Sequence, residues 1–337
     1  KLRNEHSEAT LICDGSNFHI ISHENVAIEN NACENGGFLV DQYSHITRTG
    51  AGAADAHVQD RWMVLTAGSA SARWTYSREL NGGVNGDSAW AKLLVTTADG
   101  SPGAAEGQGF RQSLIGNNAV QFLGADNKFE NAVFSMDMIV HKGGGSSISL
   151  PAKVPLFFTA IDGTQRMFVQ DVSIAAVDTW YRVSIVVPED ATANMVPGVQ
   201  RSSGFGIGLY GGSNFNTTSG NWVNGYEGYG TGTSSNLADA TDNYVGITNC
   251  KFQQGQILTP FSSRPYAEEL DICKYYAEKL SYDTNSYQLV AVGGFSANNA
   301  IQASITYEEK RATPAITSSA AGTFQLNAYA VGGNDAT

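Results

Sequence analysis

Tyr244-Val245-Gly246-Ile247-Thr248-Asn249-Cys250-Lys251-Phe252 sets Val245, Ile247, Asn249 and Lys251 against Tyr244, Gly246, Thr248, Cys250 and Phe252. Successive side chains of a strand point to opposite faces, so this period of two reads as a strand with one face toward a core. The same period recurs upstream. Ala132 to Val140 sets Phe134, Met136 and Met138 against Val133, Ser135, Asp137 and Ile139. Trp180 to Val187 puts Tyr181, Val183, Ile185 and Val187 on one face, and Gly204 to Leu209 alternates glycine with apolar residues.

Working outward, further β-prone runs lie at Arg61–Leu65, Ala72–Ser77, Lys92–Thr97, Phe110–Ile115, Ala119–Leu123, Val154–Ile161 and Met167–Ile174. Ala72–Ser77 is expected to pair with Arg61–Leu65. Turn clusters separate the runs, and no amphipathic helix intervenes. That pattern predicts an all-β fold, an antiparallel β-sandwich or barrel, in preference to βαβ units. One helix is expected late, from Tyr266 to Leu280. Its apolar stripe would be Leu270, Cys273, Ala277 and Leu280, with Pro265 at a position that a helix start tolerates.

The ends read differently. Ala9-Thr10-Leu11-Ile12-Cys13 and Phe18-His19-Ile20-Ile21-Ser22 flank the turn signal Asp14-Gly15-Ser16-Asn17. They predict an N-terminal β-hairpin over residues 1–24, too small to bury a core of its own. Residues 25–264 are expected to form one large β domain. Residues 265–337 hold the short helix and a small C-terminal β subdomain, with strand candidates Leu289–Val292, Ile301–Tyr307 and Phe324–Tyr329. No apolar h-region follows Lys1-Leu2-Arg3-Asn4-Glu5-His6, so no secretory signal is expected, and the sequence reads as part of a longer protein.

Composition narrows the function. Charged residues make up 15% of the chain, against roughly 25% for an average soluble protein. The 37 glycines among 337 residues exceed the usual ~7%, as expected of loops around strands. The formal net charge of −12 opposes a phosphate backbone, so nucleic acid is not an expected partner. No basic run suits a membrane surface and no apolar run of about 18 residues exists, so no membrane insertion is expected. Cys13, Cys33, Cys250 and Cys273 lack zinc-ligand spacing and are expected to be reduced thiols, mostly buried.

A resemblance adds to this. Asn35-Gly36-Gly37-Phe38 through Asp41-Gln42, then Asp60-Arg61-Trp62, resembles the opening of a carbohydrate-binding-type jelly-roll module common in phage tail and virion proteins. Asp178-Thr179-Trp180-Tyr181-Arg182 looks like one of its later core strands. Ile247 to Gly255, Thr259-Pro260-Phe261, Arg264-Pro265-Tyr266, Glu268-Glu269-Leu270, Cys273 and Tyr275-Tyr276 look like its close and following helix. Arg311-Ala312-Thr313-Pro314 resembles the small β-segment that follows. Leu2-Arg3-Asn4-Glu5 through Phe18 resembles the ends of phage fibre segments. Gln253 stands where an acidic residue is expected, and Lys251 is unusual there. The resemblance implies a tail or fibre component of the virion, assembled in the host bacterial cytoplasm, often as a homotrimer. Its partners would be other tail proteins and a host surface glycan.

The chemistry agrees with a non-enzyme. No GxSxG, HExxH, P-loop or dinucleotide GxGxxG stands in a fitting context. The glycines of Gly204-Phe205-Gly206-Ile207-Gly208 are explained by close packing of another backbone or an aromatic ring. Glycan binding needs rings for stacking and amides for hydroxyls. The Ser213–Leu237 loop offers Trp222, Tyr226, Tyr229, Asn224 and Asn216. The alternative for these aromatics is packing on the sandwich or on a neighbouring chain. Trp62 and Trp180 are expected in the core. Asp239 and Asp242, with Asn243, offer oxygen ligands for Ca²⁺; no other cofactor is expected. The expected function is a structural or receptor-binding component of a phage tail appendage, the alternative being an accessory module of a glycan-degrading tailspike.

Overall fold

The computed structural model describes residues 7–13, 18–25, 31–42, 46–49, 56–84, 89–114, 117–124, 126–161, 165–193, 203–225, 229–278, 292–297, 300–304, 307 and 309–310. In chain order the strands begin with β1 (Ser7–Cys13), β2 (Phe18–Asn25), β3 (Ile46–Thr49), β4 (Ala56–Gln59), β5 (Trp62–Ala67) and β6 (Arg73–Glu79). Next come β7 (Trp90–Thr97), β8 (Gly107–Leu114), helix α1 (Asn117–Val120), β9 (Ala132–His141), β10 (Ala152–Ile161) and β11 (Gln165–Ile174). Then follow β12 (Tyr181–Val187), β13 (Ser203–Gly211), β14 (Asn216–Thr217), β15 (Asn221–Asn224), β16 (Gly230–Thr231) and β17 (Tyr244–Gln254). Helix α2 (Tyr266–Tyr276), β18 (Val292–Ala297) and β19 (Ala300–Ser304) complete the order.

Two antiparallel sheets stack face to face. One is seven-stranded, in the order β15-β11-β10-β13-β8-β5-β4; the other is six-stranded, in the order β12-β9-β17-β7-β6-β3. The chain crosses between them repeatedly: β9 lies in the second sheet, β10 and β11 in the first, β12 in the second, β13 in the first, β17 in the second. This is an all-β antiparallel sandwich, one of the two architectures that the alternation predicts. β1 and β2 pair antiparallel, from Ser7 opposite Asn25 to Cys13 opposite Phe18, so the N-terminal hairpin is present. β18 and β19 form a second small hairpin. Leu289 to Ala291 and Phe324–Tyr329 lie outside the described residues.

Alternating inward side chains make the core. Phe134, Met136, Met138 and Val140 of β9 meet Val154, Leu156 and Phe158 of β10 and Phe205, Ile207 and Leu209 of β13. Phe252 of β17 lies 4.6 Å from the Phe205 ring at 8° and 5.2 Å from the Phe158 ring at 16°. The inward indole of Trp74 donates to Gln108 at 2.7 Å, so the buried N–H is satisfied. Trp62 is fully buried and stacks on Phe110 at 5.0 Å.

Three expectations are corrected. Arg61–Leu65 and Ala72–Ser77 do not pair: β5 pairs with β4 and β8, β6 with β3 and β7, in opposite sheets. Turn spacing cannot tell a hairpin from a crossing. Ala119–Leu123 is not a strand but runs from α1 into a turn, where Leu123 makes a single bridge to Phe129. Helix α2 ends at Tyr276, and Ala277 is extended at φ −155°. Of the expected stripe Cys273 is buried and Leu270 and Ala277 half-buried, Leu280 lies outside the described residues, and the other buried residue is Glu269.

That helix docks through polar contacts. Glu269 accepts from the Asn35 backbone N–H and pairs with Arg264. The Tyr276 hydroxyl donates to Glu34 at 3.1 Å, and the Arg61 guanidinium lies 3.4 Å over the Tyr276 ring. Arg61 and Glu34 form an ion pair with side chains only 4% and 5% exposed. Burial is the main cause that raises the carboxyls of Glu269 and Asp60 above their ordinary value, against hydrogen bonds that lower them. Cys33, Cys250 and Cys273 are free and buried, and burial pushes all three thiols up. Among the described residues no helix is long and apolar enough to cross a membrane.

Phe252→Ala removes the ring that joins the two sheets and is expected to lower stability by about 3–5 kcal/mol in chemical denaturation. A loss under about 1 kcal/mol would show that the core closes without it.

Candidate functional site

The two outer faces of the sandwich have different fates. On the seven-stranded sheet, residues 212–225 and 229–237 fold down as a cover. Phe215 and Tyr229 are buried there with Leu65, Phe157, Met167 and Val169, forming a second apolar cluster outside the main core. The glycines under it make this possible. A Cβ at Gly107 would stand 2.8 Å from the Tyr229 ring, and one at Gly208 would stand 1.9 Å from the Tyr229 carbonyl oxygen. At Gly204 and Gly206 a Cβ would meet the backbone oxygens of Gln112 and Phe110 at 2.5 and 2.3 Å. Close packing of backbone and ring therefore explains the alternating glycines, as the sequence predicts.

This cover disposes of the loop aromatics. Tyr229 is buried, not presented for stacking. Trp222 is half-buried at the core edge, lying 5.7 Å from Phe129, 6.1 Å from Phe158 and 5.8 Å from Phe168. Its indole N–H donates to the Pro188 carbonyl at 3.1 Å. The Asn224 side chain is exposed and accepts from Arg166 at 2.8 Å. Asn216 is exposed on β14, which pairs in parallel with β16. Tyr226 lies outside the described residues. A long loop over an apolar sheet face gains most by burying its large rings, so Trp222 and Tyr229 serve packing.

Asp239 is a turn lock. Its carboxylate accepts from Ser146 Oγ at 2.8 Å, Asn243 Nδ2 at 2.6 Å, Ser147 Oγ at 2.6 Å and the Ser147 N–H at 2.5 Å. Burial alone would raise this carboxyl; the donors from Ser147, Ser146 and Asn243 outweigh it and hold it below the ordinary carboxylate value. Asp242 is exposed, in the left-handed region at φ 65°. Asp239 is thus engaged within its own turn, and among the described residues no group of three or more His, Cys, Asp or Glu side chains is gathered for a metal.

The outer face of the six-stranded sheet carries no such cover among the described residues. A row of rings runs across it. His141, at the end of β9, stacks on Tyr244 of β17 at 4.7 Å and 12°. Tyr244 lies 6.1 Å from Trp90 of β7, and Trp90 meets Trp180 edge-on at 5.5 Å and 85°. Trp90 lies over Gly246, where a Cβ would come within 2.7 Å of its ring. The Trp90 and Trp180 indoles donate to the Asn81 and Gly82 carbonyls at 2.8 and 2.9 Å, which pins that loop beside the row. At the other end, His141 Nδ1 is 2.6 Å from Asp178 Oδ1, on a carboxylate side chain 53% exposed. Lys92 Nζ lies 4.8 Å from the Tyr244 ring centroid.

Trp90 itself is only 7% exposed, but Trp180, Tyr244 and His141 are half-exposed. Trp180 precedes β12 and faces outward, which corrects its expected place in the core; the inward face begins with Tyr181. Half-exposed rings beside fixed polar groups can stack on the apolar face of a sugar and bond its hydroxyls. Sequence reasoning passed this row over because its members come from four separate segments. The one local signal is Gly246, a glycine on the outward side of a central strand.

No family model matches the chain, and no curated protein does. Among solved structures, the carbohydrate-binding module TmCBM61 in complex with beta-1,4-galactotriose aligns over 67% of this chain and 99% of its own. The identity is 10% and the TM-score 0.29. A likeness of that size does not bear on the ligand or the site of this chain. Nothing in these comparisons points to a phage tail protein.

Asp239→Ala leaves the Ser146–Ser147 turn donors unpaired and is expected to lower stability at pH 7 by about 1–3 kcal/mol. A depressed carboxyl contributes stability above its ordinary value, lost as pH falls through the native value. Thermal melts from pH 7 to pH 2 should therefore show the variant's deficit shrinking in acid. A deficit constant with pH would refute this account.

Proposed function

We propose that this chain is a non-catalytic glycan-binding module whose ligand lies across the open face of the six-stranded sheet, on Trp180, Tyr244 and His141. One contrast supports the reading. The sandwich buries rings on the outer face of one sheet, under the cover of residues 212–225 and 229–237, and leaves a row of half-exposed rings on the other. Burying an aromatic side chain is favourable, so a row left half-exposed on a sheet face is a surface with a use.

The arrangement favours binding over reaction. Among the described residues, the acidic groups near the row are already engaged: Asp178 with His141, Asp137 with Asn249 and Arg182, and Glu79, opposite Trp90, with the Ser77 hydroxyl. A glycosidase needs two carboxyl groups flanking one bond, with a separation of roughly 5–9 Å. We place the module on a phage tail appendage, as a structural or receptor-binding component in a homotrimer. That placement rests on the residues from Ile247 to Tyr276 and their resemblance to such modules.

Retardation of the purified chain in gels containing bacterial surface polysaccharides tests the proposal. At least one polysaccharide should retard it, and Trp180→Ala should weaken retention tenfold or more without shifting the melting temperature much. Trp222→Ala should instead lower stability. Retention unchanged by Trp180→Ala would move the site elsewhere, and released oligosaccharide would overturn the non-catalytic reading.

A further inference from the structure

We infer that the ligand of this face is an acidic glycan and that the Lys92 ammonium holds its carboxylate. The inference rests on the glycan-binding reading above and names the ligand class. Lys92 lies in mid-sheet on β7, opposite Gly246 of β17 on one side and Ser77 of β6 on the other. Its side chain is half-buried, and Nζ stands beside the Tyr244 ring at 4.8 Å.

Among the described residues, the Lys92 ammonium makes no ion pair and no hydrogen bond; the ring contact is its one polar interaction. The other cations nearby are committed. Arg182 donates to the Asn249 carbonyl and to Ser135 Oγ, both at 2.9 Å, and stands 3.6 Å from Asp137. Lys142 donates to the Ile148 carbonyl. Among the described cations of this face, Lys92 alone stands against a ring with its ammonium donors open.

An ammonium has three donors, and a ring face satisfies none of them as an oxygen would. A partly desolvated charge without a partner is unfavourable, and the penalty is relieved when a carboxylate arrives. A uronate-type sugar carries its carboxylate at the edge of the pyranose ring. The Tyr244 ring lies between His141 and Lys92, so a pyranose stacked on Trp180 and running along the exposed edge of Tyr244 would bring its own edge toward the ammonium. The net charge of −12 opposes an anionic polymer at long range. Screening at physiological salt, with a Debye length of about 8 Å, leaves the local cation to decide.

The test uses one acidic polysaccharide series (alginate, polygalacturonate, hyaluronan) and the same polymers after carboxyl reduction to neutral sugars. Wild type, Lys92→Gln, Lys92→Arg and Trp180→Ala are compared by affinity electrophoresis and calorimetry. The wild type should bind an acidic polymer and lose roughly tenfold or more on its carboxyl-reduced form. Lys92→Gln should lose a similar factor, and Lys92→Arg should recover part of it. Equal binding of both forms, with Lys92→Gln unchanged and Trp180→Ala defective, would overturn the acidic-ligand inference and leave the glycan-binding reading standing. No binding to either series would overturn both.

Discussion

Phe252 is the residue on which the two sheets meet. Its ring contacts Phe134 in its own sheet and Phe158 and Phe205 in the facing one. It reaches them because β17 is bulged. Val245 and Ile247 point inward before the bulge, Cys250 and Phe252 after it, and Asn249 sits between them at φ 51°. A bulge adds one residue to a strand and shifts the face of everything beyond it. The bulge is stabilised on the outside, where Asn249 donates to Asp137 and Arg182 donates to the Asn249 carbonyl. The inward packing of β17 and the layout of its outward face are therefore one constraint.

The same strand carries the opening of the chain. Ala32 donates to the Phe252 carbonyl, Phe252 to Asn31, and Cys250 to the Gly36 carbonyl, so residues 31–36 lie along the far half of β17. The buried Arg61–Glu34 pair sits beside this junction and meets helix α2 through Tyr276. A buried pair of this kind is weak evidence for stability, because desolvation offsets its attraction. Its geometric effect is clearer: it fixes where the helix and the opening loop must sit. The helix buries little apolar surface, so these directional contacts set its orientation.

The two outer faces follow from the same strand order. β13 and β8 present glycines outward, and the loop fills that space with Tyr229 and Phe215 beside Phe157 of β10. β9, β17 and β7 present His141, Tyr244, Lys92 and Trp90 outward, and the loop through Asn81 and Gly82 borders that row without covering it. Gly246 is the hinge of this arrangement, since its missing side chain lets Trp90 lie flat on the strand. The proposed ligand face is the surface left open once the other face has been closed by its own chain.

The sequence by itself determined the two-sheet architecture. Alternation in β9, β12 and the first half of β17 is a local property, set by the pleat of each strand, and the glycine spacing in β13 announced close packing above it. It could not tell which strands pair, because β5 and β6 look like a hairpin and belong to opposite sheets. It also could not locate the bulge, since one extra residue leaves an apolar alternation that still scans on the wrong face. Nor could it separate buried loop rings from exposed ones: Trp222 and Tyr229 went inward, while Trp180, placed in the core by its strand pattern, stayed half-exposed. Composition and spacing report what a segment is. Which rings share a face is decided only when strands distant in sequence are brought side by side.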